Sequence, residues 1–191
     1  MQHVAPTRPV TPVGKDFYLR QPAALDGPAV HALVSRCPPL DVNSLYCNLL
    51  QCSMFSTTCI VAERNGEIVG FISGFIAPGS SNTLFIWQVA VAPEARGSGL
   101  GKAMLMALLQ RPACQRVSQL QTTVTPSNQA SWALFESLAK ALNATLCSQE
   151  LFTRETHFNS QHETEMLVTI GKFTPDTPSR ATLRSHLSTL A

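Results

Sequence analysis

The stretch from Val89 to Leu109, "VAVAPEARGSGLGKAMLMALL", constrains this chain more than any other. An apolar run passes into a helical pattern through a loop holding Gly97, Gly99 and Gly101 beside Arg96 and Lys102. Glycines let a backbone approach a ligand closely, and the free N–H groups at a helix start favour an anion. A strand, a phosphate-gripping loop and a helix in that order imply an α/β chain. Two familiar phosphate loops do not fit. In the G-x-x-x-x-G-K-[ST] pattern Arg96 stands where the first glycine belongs, and Ala103 replaces the hydroxyl that would hold magnesium. In G-x-G-x-x-G, Lys102 takes the third glycine position, and no acidic residue follows at the spacing that would hold a ribose. What remains is R-x-x-G-x-G, with Arg96, Gly99 and Gly101. A plain strand-to-helix turn would not need this density of glycine beside two cations.

The flanking pattern supports one domain over 16–171, between a disordered arm at 1–15 and a tail at 172–191. "DFYLRQ" reads as a first strand. Asp26 is placed to cap a helix with Pro28 in its first turn and Ala29, Val30, Leu33 and Val34 facing inward. Asp41, Asn43 or Ser44 caps a second helix through Leu50. "TCIVAERNGEIVGFISGFIA" predicts a hairpin turning at Asn65-Gly66 in a type I′ turn. Residues 83–92 and 117–125 read as strands. Residues 99–110 and 127–142 read as helices, the last capped by Ser127 or Asn128. "LFTRETHF" and "ETEMLVTIG" read as two late strands around a loop. In the tail, Leu183, Leu187 and Leu190 suit a short helix, although a frayed end fits the two prolines there better.

Composition narrows the function. A net charge of +2 on 191 residues is too mild for a nucleic-acid partner, and no apolar run is long enough to span a membrane. Without a signal-peptide pattern at the start, a cytoplasmic location is expected. The six cysteines (Cys37, Cys47, Cys52, Cys59, Cys114, Cys147) form no C-x-x-C pair and have apolar flanks, so they read as buried free thiols. His157 and His162 have no third ligand at matching spacing, and no metal is expected.

The R-x-x-G-x-G loop after a strand resembles that of the acyl-CoA N-acyltransferases of the GNAT superfamily. The resemblance implies a mixed, mostly antiparallel central sheet flanked by helices. It assigns Arg96, Gly97, Ser98, Gly99, Leu100, Gly101 and Lys102 to the pyrophosphate of coenzyme A, and Asn128 to its pantetheine arm. Val89, Val91, Leu100 and Phe135 would line that groove. It also implies a bulge in the preceding strand, with amides near Val89 and Val91 acting as an oxyanion hole.

"DVNSLYCNLL", "TLFIWQVAV", "TTVTPSNQASWALF" and "HETEMLVTIG" tighten the match. Together they look like the L-2,4-diaminobutyrate acetyltransferases of ectoine biosynthesis, over roughly residues 16 to 171. That family transfers acetyl from acetyl-CoA to the side-chain amine of diaminobutyrate, and its members are usually homodimers. The resemblance places Asp41, Tyr46, Trp87 and Glu165 at the substrate; Thr122 and Thr123 on the neighbouring strand and His162 in a late loop are expected beside it from their positions in the chain. Each has a plainer reading from the sequence. Asp41 suits a helix cap, Glu165 a strand-end charge, and Tyr46 and Trp87 the core; one of Thr122 and Thr123 should face a cleft, since strand residues alternate.

The reaction itself makes one demand. An alkyl ammonium with a pKa of about 10 must lose a proton before it attacks, so a group must receive that proton. Glu165 or Asp41, acting through water, is the candidate base. Many GNAT enzymes carry a Tyr seven residues after the helix-start Asn as general acid; here that position is Phe135, which cannot donate. Tyr46, water or an unassisted thiolate departure would have to serve. A GNAT enzyme acting on another amine or a peptide, or an acyl-CoA sensor without catalysis, are the alternatives.

Overall fold

In the computed structural model, residues 11–13 and 16–174 are described. The suggested tail helix, most of the tail and residues 1–10 of the arm lie outside them. An eight-stranded sheet runs in the order β1-β2-β3-β4-β5-β6-β8-β7. The strands are β1 (Thr11–Val13), β2 (Phe17–Arg20), β3 (Ile60–Arg64), β4 (Glu67–Ile76), β5 (Thr83–Val91), β6 (Gln119–Val124), β7 (Thr145–Phe152) and β8 (Glu165–Gly171). The helices are α1 (Gly27–Ser35), α2 (Leu45–Cys52), α3 (Leu100–Leu109), α4 (Gln129–Ala141) and α5 (Arg154–Phe158). Every pairing is antiparallel except β5 with β6. Parallel neighbours need a crossover, and α3 supplies it. This is the mixed, mostly antiparallel sheet expected from the sequence.

Local chemistry explains most element boundaries. Asn65 and Gly66 have φ of 54° and 82°, the pair of positive angles that a type I′ hairpin turn requires. Ser44 caps α2 by accepting from the Cys47 N–H at 3.2 Å. Asn128 caps α4 by accepting from the Ser131 N–H at 3.1 Å. At α3 the cap is Gly99, whose φ of 77° lies in the left-handed region. The core lies between the sheet and its helices, with Phe71, Ile72, Leu84, Ile86, Met104 and Leu108 all at most 1% exposed. Burying each such side chain contributes about 1.5–3 kcal/mol. Gly70 lets α3 lie close to β4, because a Cβ there would stand 2.7 Å from Met104 Sδ.

Five expectations need correction. Thr11–Val13 pairs with β2, so the sheet begins inside the stretch assigned to the arm. Asp26 does not cap α1 with its side chain. Its carboxylate accepts from Arg20 at 2.7 and 2.9 Å, and Arg20 also pairs with Glu63, so a charge cluster took the place of the cap. Ala29 is exposed, while Val30, Leu33 and Val34 face the core. Only Leu151 and Phe152 of "LFTRETHF" are strand; Arg154–Phe158 is a short helix, its start tied by the Thr153 N–H donating to His157 Nδ1 at 3.0 Å. Among the cysteines, Cys37, Cys52, Cys59 and Cys114 are buried as expected. Cys47 is half-buried and Cys147 is exposed on β7, a strand at the sheet edge. No helix among the described residues is long and apolar enough to cross a membrane.

Candidate active site

Strands β5 and β6 pair only from Thr83–Ile86 against Gln119–Thr122 and then part. Past Ile86 the β6-facing edge of β5 has no strand partner, and a cleft opens there. On its other edge β5 pairs with β4, with Ser73 opposite Gln88 and Gly74 opposite Ile86. Trp87 is therefore the extra residue of a bulge. The bulge lies at Trp87, ahead of the Val89 and Val91 positions expected for it. Past the bulge β5 stays paired with β4 through Val91, while backbone groups on its β6-facing edge have no strand partner.

One cavity, of about 520 Å³, follows the glycine loop. Val89, Val91, Arg96, Gly97, Gly99, Leu100, Gly101, Lys102 and Asn128 all line it, together with Leu134 and Ser137 of α4. Gly97, like Gly99, has a positive φ, 74°. Arg96 Nε donates to the Val91 carbonyl at 3.1 Å, and Lys102 Nζ donates to Ser137 Oγ at 3.1 Å. Both cations are anchored by neutral oxygens, so neither bond cancels their charge. Ser98 does not line the cavity; its hydroxyl turns back to the Ala95 carbonyl at 2.6 Å and stiffens the loop.

The second cavity, about 510 Å³, occupies the cleft between the parted strands. Asp41, Trp87, Thr122, Thr123, His162 and Glu165 line it, as does Phe135, which belongs here rather than beside the glycine loop. Both threonines reach the cleft wall, although Thr122 is 3% exposed and Thr123 is more open. Trp87 is 49% exposed, so it is no core aromatic. Glu165 lies 4.0 Å from His162 Nε2, and His162 Nδ1 is 2.8 Å from the Glu163 carbonyl. A carbonyl only accepts, so Nδ1 carries a proton and Nε2 is the nitrogen turned to Glu165. Asp41, Glu163 and Glu165 line the cleft, and no Lys or Arg among the described residues does, which suits a cationic guest. No group of three or more metal-ligating side chains is found among the described residues.

Tyr46 is not brought into the cleft of its own chain. It is 70% exposed and lines neither cavity. The buried face of α2 is Asn48, Gln51 and Cys52, and Tyr46 precedes Asn48 by two residues, about 200° around the helix. Conversely, Asn43, Gln88, Ser127 and Glu163 line the cleft, none of them a site residue by its sequence context, where Asn43 and Ser127 read only as helix caps. Gln88 carried a signal, as an amide inside an otherwise apolar strand. Glu163 accepts from Ser127 Oγ at 2.6 Å and had none beyond its place in "HETE".

Pro39, Leu40, Val89, Asn128 and Ser131 line both cavities, so the glycine loop and the acidic cleft form one groove. The family model described as acetyltransferase (GNAT) family matches residues 28–139. An L-2,4-diaminobutyric acid acetyltransferase of Methylotuvimicrobium alcaliphilum is 54% identical, covering 81% of this chain and 90% of its own. This chain belongs to the L-2,4-diaminobutyric acid acetyltransferase family. Another such enzyme, from Bordetella parapertussis, is 48% identical over 83% of the chain and 86% of its own. Diaminobutyrate acetyltransferase EctA from Paenibacillus lautus, solved with its substrate L-2,4-diaminobutyric acid and coenzyme A, superposes with a TM-score of 0.81. It is 41% identical, covering 86% of this chain and 99% of that one. The ribosomal-protein-S18-alanine N-acetyltransferase from Escherichia coli, at 17% identity and a TM-score of 0.57, shares the fold. The acetyltransferase family read from the sequence is thus the one to which this chain belongs, and its GNAT fold is confirmed.

Proposed function

We propose that this acetyltransferase moves the acetyl group of acetyl-CoA to the side-chain amine of L-2,4-diaminobutyrate, giving 4-acetamido-2-aminobutanoate for ectoine biosynthesis. The observation that carries this reading is the single groove joining a cationic glycine loop to an acidic cleft. The diphosphate of coenzyme A sits at the loop, on the α3 N-terminus and the charges of Arg96 and Lys102. The pantetheine arm follows Val89 and Asn128, bringing the thioester to the bulge at Trp87. Amides there stabilise the oxyanion as the tetrahedral intermediate forms.

The diamine enters between Asp41 and Glu165, whose charges match its two ammonium groups. A carboxylate alone would hold the proton on the amine, so binding and deprotonation need different partners. Glu165 with His162 supplies both. The imidazole Nε2 has a free lone pair in its neutral form, and the cation it becomes is paired with Glu165. With Phe135 unable to donate, the coenzyme A thiolate leaves without a tyrosine acid. The transfer is direct, within a ternary complex.

The enzyme works in the cytoplasm, where acetyl-CoA is available, and as a homodimer. Val42, Leu45 and Tyr46 form an exposed apolar run beside Asp41, a face suited to a second copy. Sedimentation equilibrium tests the dimer, and a single monomer mass would exclude it.

The reaction is tested by incubating the protein with acetyl-CoA and a panel of diamino acids, then locating the acetyl group by mass spectrometry and NMR. Acetylation of diaminobutyrate at N4 is expected. Acetylation at N2, or a preference for another amine, overturns the assignment.

A further inference from the structure

Gln88 follows the bulge residue Trp87 and is 7% exposed, between Ile86 and Ala90 on β5. A buried carboxamide costs stability unless its donor and acceptor are both met. Here both are met by one short segment, the loop between α1 and α2. Gln88 Nε2 donates to the Asp41 carbonyl at 3.0 Å, and Gln88 Oε1 accepts from Asn43 Nδ2 at 3.3 Å. The two anchor points are two residues apart and bracket the backbone that follows Asp41. Asp41 itself is held by its main chain, and it lines the cleft. One side chain therefore ties the strand that carries the bulge to the loop that carries an acidic wall of the cleft.

We propose that Gln88 is a positioning residue: its carboxamide clamps the α1–α2 loop to strand β5 and thereby sets Asp41 relative to the bulge at Trp87. The role rests on the diaminobutyrate reading for its substrate, whereas the clamp rests on the two hydrogen bonds alone. Gln88 lines the acidic cleft but not the cavity at the glycine loop. Pro39 and Leu40 of the same loop border both cavities, but Asp41 and Asn43, the residues the clamp holds, line only the acidic cleft, so its loss should act on the diamine side before the coenzyme side. Gln88→Leu keeps the volume and removes both bonds. Gln88→Glu keeps the acceptor for Asn43 and turns the Asp41 carbonyl against a carboxylate. Asn43→Ala removes one bond from the exposed side and leaves the strand intact.

The test has two arms. Hydrogen exchange of the backbone amides over 40–43 reads the clamp without any substrate. It should quicken in Gln88→Leu and, to a smaller extent, in Asn43→Ala. Steady-state kinetics reads the role. KM for diaminobutyrate should rise about tenfold in Gln88→Leu, the loss expected for two neutral hydrogen bonds. The kcat should stay within roughly threefold, and the Kd for coenzyme A should not move. Unchanged exchange overturns the clamp. Quickened exchange with an unchanged KM, or an equal loss of coenzyme A affinity, overturns the positioning role. If Gln88→Leu does not fold, Asn43→Ala carries both readouts. Failure of the unaltered enzyme to acetylate diaminobutyrate would refute the substrate reading and leave the exchange result standing on its own.

Discussion

Lys102 and Ser137 join α3 to α4 in the cavity that follows the glycine loop, the ammonium donating to the hydroxyl at 3.1 Å. A neutral partner fixes the direction of the side chain and leaves its charge for a phosphate. Lys102→Met should therefore weaken coenzyme A binding by about tenfold, the range of one charge-assisted hydrogen bond. Because the groove is open, the difference from the unaltered protein should shrink as salt is added. Titration calorimetry across a salt series checks both. Equal affinity at low salt would remove Lys102 from the phosphate site.

Gly99 and Gly101 lie two residues apart and should respond in opposite ways to the same substitution. A Cβ at Gly99 meets nothing within 4 Å, but φ is 77°, so alanine there is strained by about 1–2 kcal/mol. Gly99→Ala should lower Tm by several degrees at roughly 2–4 °C per kcal/mol. Gly101 sits in the first turn of α3, and a Cβ there would have Leu134 Cδ1 at an ordinary 3.5 Å. Gly101→Ala should leave Tm unchanged or raise it, since alanine favours a helix by up to about 1 kcal/mol. The added methyl group narrows the groove that Gly101 lines, so coenzyme A affinity should fall while stability does not. Thermal melts with and without coenzyme A separate the two effects.

The parts of this molecule that depend on neighbours in sequence are legible in the sequence itself. The Asn65-Gly66 turn and the Gly99 helix start follow from the backbone preference of glycine and asparagine, and the caps narrow to Asp41, Asn43 or Ser44 for α2 and to Ser127 or Asn128 for α4. The glycine loop belongs to the same class, which is why Arg96 to Lys102 could be placed as a unit. What depended on distant partners was not legible. Asp26 had every local reason to cap α1, and Arg20 from β2 claimed its carboxylate instead. Tyr46 suits the core by its side chain alone, and the phase of α2 turns it outward. Gln88 was visible only as a polar residue in an apolar strand, and its partners lie 45 and 47 residues earlier in the chain. Glu163 acquires a partner only when α4 and β8 bring Ser127 beside it.

The buried thiols should make the fold less stable at alkaline pH. Burial pushes the Cys52 thiol up to about 12 and the Cys59 and Cys114 thiols up to about 11. In the unfolded chain each ionises near 8.5. Above that value the unfolded state sheds protons that the folded state keeps, so it binds fewer protons and stability falls as pH rises. The stabilising contribution is complete below about pH 8.5 and is lost progressively toward pH 11, with Cys52 continuing to about 12. Each thiol contributes a slope of at most about 1.4 kcal/mol per pH unit. Urea midpoints should hold steady to pH 8 and then decline, and Cys114→Ala should show a shallower decline than the unaltered protein. The comparison of slopes isolates the thiol from lysine and tyrosine ionisation, which both proteins share. Identical slopes would mean that the Cys114 thiol titrates in the folded state as it does in the unfolded chain.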